Sequence, residues 1–437
     1  MDFYKEHIAS VSEDHGVVAT ENICNQHGQT IVASGAQIDS TSSERILKFK
    51  LLKPIESSIA IESELSVDDL YQHITDYMCD DNSLFEVYLE SNLGTLLRDC
   101  CEFAFSYDII RQKLTVLHYQ YPNQFDQTLF VSWFTVLIEK KSGKQDTEIY
   151  QSFTASICRD LGLLHIDPKI LISNEKLTPE QWRQLQSHPI ISQKIVEALE
   201  GLSDDCARGV LEHHENLDGT GFPSSKLASQ LAPLGQILAL LDGTYANYAK
   251  FFKPLGRTLA DVVPIIQMNS RAHFGNFSDI FVASIRCCSR TDHTVINENN
   301  IADAVAEVIA CHKYISDYLA CAFKLISEFA KSSKGPRLVS MQKGYLHIHQ
   351  SVTQSGLINL AYIRWVEQVR EEKLKNAYRE VEDSLMMMRE VIYQIDRLNI
   401  QLSTYVTKEG EKGATANSPS LFQQLITFEK PVFKTLT

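Results

Sequence analysis

The chain has 437 residues, 44% of them apolar and 22% charged, with a formal net charge of −14. That length predicts two or three domains, each large enough for its own core. The acidic balance excludes nonspecific binding to nucleic acid or an anionic membrane, and no run approaches the ~20 apolar residues of a bilayer span.

Residues 1–60 read as a small β-rich segment. Gly16-Val17-Val18-Ala19-Thr20 and Gln29-Thr30-Ile31-Val32-Ala33 flank a turn containing Gly28, and their β-branched alternation predicts a hairpin. The opening Met1-Asp2-Phe3-Tyr4-Lys5-Glu6 is too polar for a signal peptide. Ten cysteines include the adjacent pairs Cys100-Cys101 and Cys287-Cys288 but no Cys-x-x-Cys, so reduced thiols and a cytoplasmic location are expected. A helical region, 61–119, follows. Its periodicity starts at Val67-Asp68-Asp69-Leu70-Tyr71 behind the N-cap Ser66 and runs through Phe105.

Residues 120–285 carry the chemistry. Arg159-Asp160-Leu161-Gly162-Leu163 precedes Leu164-His165-Ile166-Asp167-Pro168. Thr178 is placed to cap a helix with Pro179 at its first position, and that stretch leads to His188-Pro189. Next comes the densest polar string in the chain, His213-His214-Glu215-Asn216-Leu217-Asp218-Gly219-Thr220-Gly221-Phe222-Pro223. Adjacent imidazoles and carboxylates are ligands that iron and borderline divalent ions prefer, and the glycines and Pro223 set a sharp turn behind them. An apolar helix ending at Asp242 follows, then Lys250-Phe251-Phe252-Lys253.

These segments, with their spacing, resemble the HD-GYP family over roughly residues 120–285. His213–Pro223 is similar to the family's HHExxDGxGYP string, with Phe222 in place of tyrosine. Residues 159–163 match HDxGK, and His188-Pro189 matches HPxxG with Ser192 in place of glycine. The resemblance implies an all-helical HD domain in a mainly α chain, and phosphohydrolase chemistry on a cluster of metal ions. One family site would draw on Asp160, His188, His213 and His214, all present. The other would need a histidine near Gln127, where the nearest is His118. It would also need a histidine at position 159, which is arginine, together with Asp242. The phosphate-approaching lysine is Leu163. One site is therefore expected for a single iron, manganese or zinc ion, and the second is expected to be lost.

Arginine stays charged and cannot coordinate a metal, but a guanidinium can replace a missing cation and bind phosphate bidentately. Arg159, Lys250 and Lys253 are the candidate phosphate-binding cations, the two lysines weighed evenly against a solvated helix end. The turn residues Asp218, Gly219, Gly221, Phe222 and Pro223 complete the expected ligand-binding set.

Residues 286–405 form a different object, a helical region. A helix opened by Asn297 and Asn300 carries Ile309, His312 and Ile315, with Cys311-His312 read as packing. From about Leu357 to Leu402 no proline or glycine interrupts the pattern, and Leu374, Tyr378, Val381, Leu385, Met388, Ile392 and Ile395 form a heptad seam with Asn399 as a register device. The seam predicts a helical hairpin or, by preference, a homodimer. Residues 406–437 read as a flexible tail.

Three functions fit. The first is a degenerate HD-GYP protein that binds one metal and cyclic di-GMP, or a related cyclic dinucleotide, as an effector for a protein signalling partner. The second is an active metal-dependent cyclic di-GMP phosphodiesterase, and the third a partner-binding scaffold without nucleotide. Missing ligands weigh against the second, and retained ligands against the third.

Overall fold

In the computed structural model, the structure describes residues 3–436 except 174, 218, 220, 227, 270–275, 289–292, 333–334 and 414–417. Tyr4, Ile8 and Val11 recur at helical spacing and are buried, so the chain opens on α1 (Tyr4–Asp14). Four short strands follow: β1 (Val17–Ala19), β2 (Ile23–Cys24), β3 (Thr30–Val32) and β4 (Ile59–Ile61). β1 pairs antiparallel with β4, Val17 opposite Ile61, and β2 pairs with β3. The expected pairing of 16–20 with 29–33 is therefore corrected. Asn25 accepts from the amides of His27 and Gln29, and Gly28 adopts φ +79°, which closes a tighter hairpin between β2 and β3. A second helix, α2 (Ser40–Lys48), is capped by the Asp39 side chain.

Helices α3 (Val67–Cys79), α4 (Asn82–Ser91), α5 (Gly94–Phe105) and α6 (Asp108–Gln120) form the next layer. Ser66 and Asp69 make the capping box that starts α3. The centre of the molecule is α7 (Pro122–Lys141). Its residues from Leu129 to Glu139 are all buried, including Phe130, Trp133 and Phe134. A helix apolar on every side belongs inside a core, and α7 is covered by α8 (Asp146–Cys158) and α13 (Pro233–Asn247). Between them run α9 (Pro168–Leu171), α10 (Pro179–Leu185), α11 (His188–Glu197) and α12 (Asp204–Glu212). Thr178 and Gln181 form a capping box with Pro179 at the first position of α10. A π-helical turn, Tyr248–Phe252, leads to α14 (Val263–Asn269) and α15 (Phe277–Ser284).

The C-terminal region packs α16 (Ile301–Ser332) against α17 (Pro336–Ser355), α18 (Leu360–Glu372) and α19 (Tyr378–Gly413). The single helix expected over 357–402 is two helices. Lys373 turns left-handed at φ +51°, and the Leu374 amide returns to the Val369 carbonyl. The seam residues Tyr378, Val381, Leu385, Met388, Ile392, Ile395 and Leu402 are buried within this chain, where α19 meets α16 and α17. Asn399 accepts from the Tyr318 hydroxyl at 2.9 Å. The stripe that argued for a homodimer is thus covered intramolecularly. The expected flexible tail is also corrected in part. α20 (Ser418–Ile426) packs on α16, Leu425 and Leu436 are buried, and the amides of Lys434 and Thr435 donate to Glu307.

A buried polar seam joins this bundle to the helices before it. Arg257 lies 3.0 Å from Glu382, both side chains fully buried, and also pairs with Asp383. Arg379 pairs with Asp261, and Asn269 donates to Glu390 at 2.9 Å. No helix among the described residues is long and apolar enough to cross a membrane.

Candidate metal centre

Three helix ends deliver the polar cluster. Arg159 ends α8, and Asp160 starts the 3-10 turn Leu161–His165. His188 opens α11, and His213 and His214 follow the last turn of α12. Gly162 holds the first two ends together. A Cβ there would lie 2.2 Å from the His188 carbonyl oxygen, and its amide donates to Ser192 Oγ at 2.8 Å. The serine that departs from the family pattern therefore closes the contact between the turn and α11.

Asp160, His188, His213 and His214 each present a ligand atom within 4.8 Å of the others. His188 Nε2 lies 3.3 Å from His213 Nε2, and each lies 3.5 Å from Asp160 Oδ1. Two ligands about 2.1 Å from one ion at a tetrahedral angle are about 3.4 Å apart, so these separations fit one shared ion. The ring tautomers also fit. His188 Nδ1 sits 2.7 Å from the Leu185 carbonyl and His213 Nδ1 2.6 Å from the Val210 carbonyl. Each Nδ1–H donates outward, which leaves the inward Nε2 with a lone pair.

Electrostatics favour the coordinating forms of Asp160, His188 and His214. Burial, reinforced by neighbouring His213, holds the His188 imidazole down to about 4. Burial and the two facing imidazoles likewise hold His214 well below its ordinary range. Burial alone would raise Asp160, but Arg159 and the imidazoles outweigh it and keep the carboxyl well below the usual carboxylate range. The donor set, three imidazoles and one carboxylate, suits iron, manganese or zinc.

The remaining residues fall differently. Asp242 lies beside the cluster, its Oδ2 3.6 Å from His214 Nδ1, and burial raises its carboxyl. Arg159 is completely buried, with Nη2 2.8 Å from Asp160 and 3.4 Å from Asp242. Gln127 donates to Asp242 Oδ1 at 2.6 Å. His118 is elsewhere, its ring 4.8 Å from His73 and 4.5 Å from Phe125. A second ion fits poorly where a guanidinium and an amide already hold the carboxylates. In the sequence, Gln127 stands out only as the place of a missing histidine, with no contact of its own.

The turn after the histidines folds back over them. Phe222 stacks on His214 at 4.7 Å, and its amide donates to the His214 carbonyl. Glu215 clamps the far side by accepting from the amides of Ser224 and Lys226. Gly219 adopts φ +79°, Phe222-Pro223 is cis, and Gly221 has no room for a side chain. Asp218 lies outside the described residues. Glu212, which the sequence reading passed over, accepts from Arg208, Lys226 and the Ala232 amide, tying α12 to the start of α13. Its adjacency to the histidine pair was the available signal.

Of the three candidate phosphate cations, Arg159 alone pairs with the cluster's carboxylates among the described residues. Lys253 is exposed and lies 3.9 Å from Asp81, near the Tyr77 ring. Lys250 is exposed over Phe251.

Residues 118–276 match the family model described as an HD domain. This part of the chain belongs to the HD superfamily. The chain is similar to a cyclic di-GMP phosphodiesterase of Borreliella burgdorferi, 25% identical over 172 residues, which is 39% of this chain and 45% of that protein. A cyclic di-GMP phosphodiesterase of Thermotoga maritima is 25% identical over 174 residues, 37% of this chain and 47% of its own. A 3'3'-cGAMP-specific phosphodiesterase of Vibrio cholerae is 29% identical over 112 residues, 26% of this chain and 24% of its own. The chain thus spans less than half the length of these curated relatives.

Proposed function

We propose that the HD domain holds one iron, manganese or zinc ion through Asp160, His188, His213 and His214, and binds cyclic di-GMP or a related cyclic dinucleotide as an effector, with at most slow hydrolysis. The observation that carries this reading is the Arg159 guanidinium standing between Asp160 and Asp242, beside a four-ligand set that suits one ion. When bound, a single ion supplies a Lewis acid and lowers the pKa of its water, whereas a paired site also clamps the leaving oxygen.

This chain's own residues do the rest. Arg159 balances the carboxylates of Asp160 and Asp242. Phe222, stacked on His214, offers an apolar face at the cluster against which a base can lie. Leu163, 9% exposed where the family pattern has lysine, brings no charge to a phosphate. The names of the relatives favour a second reading, an active cyclic di-GMP phosphodiesterase, and Asp242 beside His214 supports it.

Calorimetry of the metal-loaded full chain with cyclic di-GMP, followed by chromatography of the nucleotide, tests both. Saturable binding with little linear product is the expected result. Robust hydrolysis abolished by Asp160→Ala establishes the enzyme instead, and no binding leaves the partner-scaffold reading.

A further inference from the structure

We propose that Arg159 is a tethered cation standing where a second divalent ion would otherwise sit, and that exchanging Arg159 and Gln127 for histidine turns the cluster into a two-ion site. This inference rests on the reading that the natural cluster takes one ion.

The charge arrangement leads there. Asp160 is buried and Asp242 half-buried; both face the same guanidinium, and His214 lies beside Asp242. Two carboxylates sharing one poorly solvated site favour a positive charge between them. Arg159 supplies it from the C-terminal end of α8, where the helix dipole favours a cation.

Arg159 shares one nitrogen, Nη2, between the two acids. Among the described residues, the Nε, Nη1 and Nη2 atoms of Arg159 are buried and make no aligned hydrogen bond, although Nη2 is within ion-pair distance of both carboxylates. The group is held as a charge between acids, as a metal ion would be. Gln127 completes the substitution. Its amide donates to the Asp242 oxygen that faces Arg159, so it holds that carboxylate without adding charge. Imidazoles at positions 127 and 159 would flank Asp160 and Asp242 with neutral nitrogen donors, a set that first-row divalent ions bind.

The test uses the full chain, wild type and Arg159→His/Gln127→His, each reconstituted with Mn2+, dialysed and measured for metal content by plasma mass spectrometry. The expected result is a rise from about one to about two ions per chain. A folded double variant, judged by circular dichroism, that stays at one ion overturns the inference and leaves the single-ion reading intact. A wild type that already holds two ions also overturns it. A wild type that holds none defeats the single-ion reading instead.

Arg159→Gln guards against a double variant that does not fold. It should melt below the wild type in chelator and regain that loss on titration with Mn2+, while Arg159→Lys should need no ion. An Arg159→Gln loss that Mn2+ does not restore identifies a merely structural arginine and overturns the inference.

Discussion

Gln127 donates to Asp242 Oδ1 at 2.6 Å, and that oxygen also lies 3.4 Å from the Arg159 guanidinium. At the cluster α13 is thus joined to α7 by a hydrogen bond and to the end of α8 by a fixed charge. On the other side of Asp160, three imidazoles converge, and the outward nitrogens of His188 and His213 donate to backbone carbonyls. The cluster therefore has a side whose residues could hold a metal and a side occupied by a guanidinium and an amide.

The open side predicts a metal stoichiometry. Purified anaerobically, the wild-type chain should carry about one transition metal ion. His213→Ala/His214→Ala removes two of four ligands and should lose it, with circular dichroism showing the helices retained. Full metal retention in that variant would place the ion elsewhere.

Gly221 makes the turn over the histidines possible. A Cβ there would lie 2.3 Å from both the His214 carbonyl oxygen and the Glu215 Cα. Neither can yield without moving a candidate ligand or the Glu215 clamp. Gly221→Ala should therefore cost metal affinity at least tenfold, in line with loss of a supporting contact around a metal ligand, while melting changes less. Unchanged affinity by competitive chelator titration would show that the turn does not position His214.

The mainly α class and the local features of the candidate site were legible in the sequence; the long-range pairings were not. Adjacent histidines and a Gly-x-Gly-Phe-Pro turn are local signals, as are the caps at Ser66 and Thr178, because each is set by residues within a few positions. The β1–β4 pairing was not legible, since Val17 finds Ile61 across a long separation and the nearer β3 looked equally suitable. The break at Lys373 carries no glycine or proline, so nothing local announced it. The heptad seam was read correctly as apolar, but its partner was not, because periodicity shows that a face is covered and not by what. Gln127 was visible only as a gap in a motif; its contact with Asp242 needs the packing of α7 on α13.

The packing of α19 on α16 and α17 assigns the seam a stabilising role within one chain. Leu385 is fully buried on α19, and truncating a leucine in such a core costs about 2–5 kcal/mol. Leu385→Ala should lower stability by that amount in a urea melt. The mass by light scattering should be the same as that of the wild type under native conditions, because the seam faces α16 and α17 of the same chain. A wild-type dimer that this substitution dissociates would return the seam to an intermolecular role.

The polar seam between the HD domain and the C-terminal bundle predicts a pH dependence. Glu390 on α19 accepts from Asn269 and Gln394, but burial outweighs these bonds and raises its carboxyl above the ordinary value. In the unfolded chain the same group ionises near 4.5. Above that pH the unfolded state releases its proton first and binds fewer protons than the folded state, so stability falls as pH rises. The favourable contribution is fully present below 4.5 and is lost as pH rises through the folded value. Glu390→Gln keeps an acceptor for Asn269 and removes the ionisation. It should melt higher than the wild type at pH 7, and the difference should shrink towards pH 4. A variant that melts lower at pH 7 by differential scanning calorimetry would show that the charged carboxylate stabilises the joint, most directly through the nearby Arg397.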